Sequence, residues 1–162
     1  MNNFPDLKKP THLIATLGGV GNAKYAPGTW GSAVSLVLFI IISHYTDNLA
    51  LLVLATTIFA IWICHVVSVD LDEKDHKAIV IDELAGMWIG AYPAIFYTTQ
   101  SERISFVVLA FILFRLFDII KPFPISYIDK NLKGGLGIVL DDVIAGIIAA
   151  LISILLMTVL FA

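Results

Sequence analysis

The sequence predicts an all-α fold: a polytopic, membrane-embedded helical bundle of about five transmembrane helices with a short N-terminal interfacial or re-entrant segment. Three observations carry that expectation. The 162 residues are 59% hydrophobic and 14% charged, with a mean hydropathy of +0.91, whereas a soluble domain uses about 25% charged residues to cover its surface. Five apolar runs, at 30–45, 49–69, 84–98, 104–119 and 143–162, approach the ~17–25 residues that cross a hydrocarbon core. With five crossings, Lys8, Lys9, Lys24, Lys74, Lys77, Lys121, Lys130 and Lys133 fall on one side and only Arg103 on the other. That is the asymmetry of cytoplasmic against external loops.

Taken in order, the N-terminal arm carries Asp6, Lys8 and Lys9 without a cleavage site behind a short hydrophobic region, so no removable signal peptide is predicted. Residues 11–22 are apolar but contain Gly18, Gly19 and Gly21, too short to span and suited to an interfacial or re-entrant piece. The stretch Pro27-Gly28-Thr29-Trp30-Gly31-Ser32 reads as a helix start with Thr29 as N-cap. Short loops at 47–48 and 100–103 make neighbouring crossings antiparallel, and Pro93 is expected to kink the third. One membrane-embedded domain over 1–162 follows. Cys64, alone in an apolar run, can form no intrachain disulfide. A net charge of -3 without a dense Lys/Arg stripe excludes a nucleic-acid footprint.

The acids are the unusual feature. Asp82 and Glu83 are placed at the start of the third crossing, Asp118 at the end of the fourth, and Asp141 and Asp142 at the start of the fifth, all on the cytoplasmic side. Ionisable groups at membrane depth cost up to about 3 kcal/mol each, so they pair or perform chemistry. Asp82 to Gly86 and Asp142 to Gly146 both read Asp-x-apolar-Ala-Gly. On a helix the acid at i shares a face with the small residues at i+3 and i+4, and small residues let membrane helices approach closely. Asp82 and Asp142 are therefore expected to face a common site. Asp118, at the negative end of a helix dipole, needs a cation nearby; Arg115, Lys121 and a metal are candidates. Oxygen ligands without a Cys/His cluster indicate a hard divalent ion, Mg²⁺ first and Mn²⁺ second. N-terminal acids also cap helices, but five on one face of three helices exceed what capping needs. Backbone N–H groups at the 27–32 helix start, with Lys24, Thr29 and Ser32, could cradle a phosphate. An ordinary turn accounts for the same residues equally well.

With these residues in hand, the chain resembles the phosphatidylglycerophosphatase A family. Three blocks carry the resemblance: Pro27 to Ser32; Ile79-Val80-Ile81-Asp82-Glu83 with Gly86-Met87-Trp88; and Phe114 to Pro124 followed by Gly137 to Gly146. The resemblance implies Mg²⁺-dependent removal of the terminal phosphate of phosphatidylglycerophosphate to give phosphatidylglycerol, in the bacterial cytoplasmic (inner) membrane. It departs from the family pattern at Asp75-His76-Lys77, where the family has Asp-Pro, which leaves Asp75 without an assigned role. On this reading Asp82, Glu83, Asp118, Asp141 and Asp142 hold the metal and perform catalysis, while Arg115, Lys121 and Lys24 bind phosphate oxygens. A CDP-alcohol phosphotransferase would also set aspartates and Mg²⁺ at a membrane face, but its Asp-Gly-x2-Ala-Arg signature is absent. A small ion-binding transporter usually holds its key acids near the midplane; these gather at one end.

Overall fold

Prolines, glycines and polar caps set the limits of seven α-helices in a computed structural model that describes residues 4–69, 71 and 76–160. They are α1 (Pro10–Ala15), α2 (Pro27–Ser43), α3 (Leu49–Val69), α4 (Ile81–Ala91), α5 (Gln100–Ile120), α6 (Ile125–Asn131) and α7 (Gly134–Leu160), with 3₁₀ turns at Val20–Asn22 and Tyr92–Phe96. No strand occurs among the described residues.

Three boundaries correct the sequence reading. Thr29 is not an N-cap: α2 begins two residues earlier at Pro27, behind Ala26 in the left-handed region (φ 47°). Proline has its φ preset for the first helical position and lacks the N–H that would be orphaned there. Residues 100–103 are the first turn of α5 and not a loop. Thr99 and Glu102 form a capping box, with Glu102 N–H donating to Thr99 Oγ1 at 3.2 Å and Thr99 N–H to Glu102 Oε2 at 3.1 Å. Helix α7 begins at Gly134, so Asp141 and Asp142 lie about two turns inside it. The expected break near Pro93 is present, since α4 gives way to a 3₁₀ turn at Tyr92.

Helix α7 is the central strut, packed by α3, α4, α5 and α6. Its contact with α4 is made by glycines. A Cβ on Gly146 would collide with the Gly86 carbonyl, and one on Gly86 would lie 2.6 Å from the Asp142 carbonyl. Ala85 and Ala145 are fully buried beside them. Thus the repeated Ala-Gly pair lets two backbones meet, and the acid at the head of each repeat is carried inward on the same face. Phe39, Ile63, Met87, Phe106, Phe114 and Met157 fill the remaining core.

The outer surface is apolar. Leu51, Leu54, Ile58 and Trp62 line one exposed stripe of α3, and Leu151, Leu155 and Val159 line one of α7. Helices α3 and α7 are the two described helices long and apolar enough to cross a membrane by length and composition, while apolar α2 has 17 residues. Helix α5 has 21 residues but carries Glu102, Arg103, Arg115 and Asp118.

Candidate active site

The starts of α2 and α4, the end of α5 and the third turn of α7 converge at one end of the bundle. Helix α2 is locked to α4 by the Trp88 indole, whose Nε1 donates to the Ser35 carbonyl at 2.9 Å. Close approach continues towards the acids: a Cβ on Gly31 would lie 2.8 Å from Val80 Cβ, and one on Gly28 would strike a Glu83 carboxylate oxygen. Glycine at position 28 therefore leaves the room that Glu83 occupies.

Glu83 is the centre of a buried network. Ser32 Oγ donates to its Oε2 at 2.7 Å, and Arg115 Nη1 reaches Oε2 at 2.6 Å and Oε1 at 2.7 Å. The same nitrogen lies 2.9 Å from Asp118 Oδ2, one turn along α5. Arg115 Nε is buried with no hydrogen-bond partner. Asp82 is 8% exposed, and its Oδ1 accepts the Glu83 N–H at 3.0 Å. Asp142, 4% exposed, completes a set: Glu83, Asp118 and Asp142 each offer an oxygen within 4.8 Å of the others.

Beside this lies a second network. Lys121 caps α5 in the left-handed conformation (φ 45°), and its Nζ reaches Asp141 Oδ2 at 2.6 Å and Asp129 Oδ1 at 2.8 Å. Partial burial opposes the ammonium charge, but the hydrogen bonds it donates to Asp129 and Asp141 outweigh that and hold Lys121 above its ordinary value. The second oxygen of Asp141, Oδ1, is buried without a partner.

Six carboxylates (Asp82, Glu83, Asp118, Asp129, Asp141, Asp142) thus gather with two cations (Arg115, Lys121), an excess of four formal negative charges by this count. Carboxylates removed from water are costly unless neutralised. Oxygen donors in convergence, an orphaned Asp141 oxygen and excess negative charge fit a hard divalent cation.

The structure brings together Asp82, Glu83, Asp118, Asp141, Asp142, Ser32, Arg115 and Lys121, though it divides them between the two networks. Ser32 serves as a donor to Glu83 at the site, and Lys121 turns from Asp118 to Asp141. Lys24 is exposed, with its Nζ 5.4 Å from the centre of the Tyr25 ring, and Thr29 makes no hydrogen bond to the cluster among the described residues. Asp75 lies outside the described residues. Asp129 escaped the sequence reading. It sits in a polar surface segment, and the packing of α6 on α7 places it beside Lys121.

The family model described as Phosphatidylglycerophosphatase A matches residues 13–157, which contain both networks. The chain belongs to the phosphatidylglycerophosphatase A family. It is 37% identical over 150 residues to "Phosphatidylglycerophosphatase A" of Haemophilus influenzae, covering 90% of this chain and 88% of the relative. The Escherichia coli (strain K12) protein of the same name is 33% identical over 145 residues, covering 89% and 81%. A Bacteroides thetaiotaomicron protein, provisionally named a phosphatidylinositol-3-phosphatase, is 33% identical over 150 residues, covering 87% and 91%. No solved structure matches the chain. Membership of this family makes the chain a lipid phosphatase, and the acidic end of its bundle is the natural place to look for the chemistry.

Proposed function

We propose that this chain hydrolyses the terminal phosphomonoester of phosphatidylglycerophosphate, giving phosphatidylglycerol and inorganic phosphate, and that it does so with Mg²⁺ at the cytoplasmic face of the bacterial inner membrane. The observation that carries the reading is the set of three oxygens from Glu83, Asp118 and Asp142, drawn from three helices and lying within 4.8 Å of one another. The exposed apolar stripes of α3 and α7, the apolar α2 and the one-sided lysines support a five-crossing single-domain arrangement with the N-terminus in the cytoplasm. In that arrangement the acids lie at headgroup depth, and the acyl chains of the substrate stay in the bilayer.

Glu83, Asp118 and Asp142 would hold the cation, with Asp82 and Asp141 flanking them. A divalent ion bound there supplies charge neutralisation to the phosphate and acidifies the attacking water. Arg115 is oriented by Glu83 and Asp118, and Lys121 by Asp129 and Asp141; both place positive charge where phosphate oxygens must lie. Water supplies the oxygen that bonds to phosphorus as the bond from phosphorus to the ester oxygen breaks. One carboxylate takes the proton of the water and returns it to the ester oxygen, which leaves as the alcohol. The same residues could instead pass the phosphoryl group through an aspartyl intermediate. Rapid acid quench during turnover of ³²P-labelled substrate separates the two routes, since only the covalent route leaves label bonded to the protein.

The activity is tested by inorganic phosphate release from phosphatidylglycerophosphate in detergent micelles by the purified protein, with Mg²⁺ and with EDTA. The expected result is release with Mg²⁺ and none with EDTA. No release with Mg²⁺ or Mn²⁺ would overturn the assignment. The Bacteroides relative motivates a second arm using a 3-phosphoinositide lipid, and preferential turnover of that lipid would move the headgroup assignment while leaving the phosphomonoesterase chemistry in place. A requirement for a CDP-alcohol would favour the transferase reading, and ion flux in liposomes without hydrolysis would favour the transporter.

A further inference from the structure

We infer that Asp129, on the short helix α6, is a positioning residue that aims the Lys121 ammonium at the substrate phosphate. The inference rests on the phosphatase reading above and adds to it a residue outside the five expected acids. Lys121 occupies a backbone position that disfavours it: it is the C-cap of α5 with φ 45°, where glycine or asparagine is the usual occupant because other side chains are strained. At this cap the sequence places a lysine side chain. That side chain is held from two sides, by Asp141 at 2.6 Å and by Asp129 at 2.8 Å.

The two acids differ in surroundings. The Asp141 side chain is 6% exposed and that of Asp129 is 39% exposed, with Lys121 between them at 28%. Asp141 therefore anchors the ammonium from inside, and Asp129 holds it from the solvent side, where a headgroup phosphate arrives. Helix α6, seven residues long, folds back from the end of α5 and packs on α7, with Ile125 fully buried at its start. The fixed start sets the rest of the helix in place one turn later at Asp129. An ammonium has three donors; with two committed to Asp129 and Asp141, the third has its direction fixed. Without Asp129 a flexible lysine stem would sweep a wide arc before finding the phosphate.

The test compares wild type with Asp129→Asn, Asp129→Glu, Lys121→Gln and the Asp129→Asn/Lys121→Gln pair on phosphatidylglycerophosphate with Mg²⁺, measuring kcat and KM separately and thermal unfolding in detergent. A group that binds the phosphate alike in ground and transition states acts on KM. Asp129→Asn is expected to raise KM about tenfold with kcat within about threefold, the size of one lost charge-assisted hydrogen bond. Asp129→Glu should recover at least half of that loss. The pair should be no worse than Lys121→Gln alone, because Asp129 acts only through Lys121. Should Asp129→Asn fail to fold, the Asp129→Glu and Lys121→Gln rows decide: KM unchanged in Lys121→Gln overturns the inference. A KM within about twofold of wild type in folded Asp129→Asn, or additive losses in the pair, also overturns it. Wild-type protein without phosphatase activity would bring down the phosphatase reading and this inference together, whereas active wild type with an indifferent Asp129→Asn would bring down the inference alone.

Discussion

The two ends of the bundle handle polar groups in opposite ways. At one end, Asp82, Glu83, Asp141 and Asp142 are each under one-tenth exposed, and their neighbours are the cations Arg115 and Lys121. Gly28, Gly31, Gly86 and Gly146 allow the close approaches there, and at Gly28 the space is taken by the Glu83 carboxylate. At the other end, where α2 finishes and α5 starts, polar groups are met by ordinary local means: Thr99 and Glu102 cap α5, and the Arg103 Nε donates to the Tyr97 carbonyl at 2.7 Å. The space there is open, a cavity of about 670 Å³ lined by residues such as Phe39, Ile40, Ile104 and Val107. This cavity is remote from the acids. Cavity volume and buried charge thus single out opposite ends of this molecule, and the proposed chemistry follows the charge.

If the contrast holds, removing a charged group at the acidic end should lower activity, whereas a substitution at the far end should cost stability alone. The largest effect is expected from Arg115→Met, which leaves Glu83 and Asp118 without their shared cation; breaking such a buried pair costs about 3–5 kcal/mol, read as a loss of thermal stability in detergent together with loss of activity. Next is Asp142→Asn. Phosphate release should fall about 10²–10³-fold, the scale of losing one preorganised electrostatic group, while the melting temperature stays level or rises because one of several crowded negative charges is gone. A melting temperature that fell with the activity would make Asp142 a structural residue. Gly146→Ala tests the close approach itself: its Cβ meets the Gly86 carbonyl, and about 1–3 kcal/mol of stability should be lost, as for other overpacked cores. The smallest effect is expected at the far end, where Thr99→Ala removes a helix cap worth about 1 kcal/mol and leaves kcat/KM unchanged.

Much of the acidic end could be read from the chain because its logic is local. The Asp-x-apolar-Ala-Gly repeat at 82–86 and 142–146 announces both the packing face and its acid, and helix α3 spans the same residues as its apolar run. What escaped notice depends on contacts between residues far apart. Glu83 and Arg115 are 32 residues apart, and their pairing exists only because α4 and α5 lie side by side at this end. The early start of α7 was hidden by Gly134, Gly135 and Gly137, since clustered glycines interrupt an apolar run and ordinarily mark turns. Gly135 instead lets α7 press onto α3, where a Cβ would collide with the Ile61 carbonyl and the His65 amide. Asp129 was invisible for a similar reason: a charged residue in a polar surface stretch carries no periodic signal, and its role emerges from the path of α6. The first turn of α5 was lost because the polar residues that cap a helix are also those of loops.

The account stands on oxygens of Glu83, Asp118 and Asp142 sharing one divalent cation. Electron paramagnetic resonance of Mn²⁺ added to the purified protein reads this without any catalysis. Bound Mn²⁺ should appear with wild type, be displaced by Mg²⁺, and be lost in Asp142→Asn and Glu83→Gln while Thr99→Ala binds normally. Mn²⁺ that stays free with folded wild type, or that binds both carboxylate variants as tightly as wild type, would contradict it.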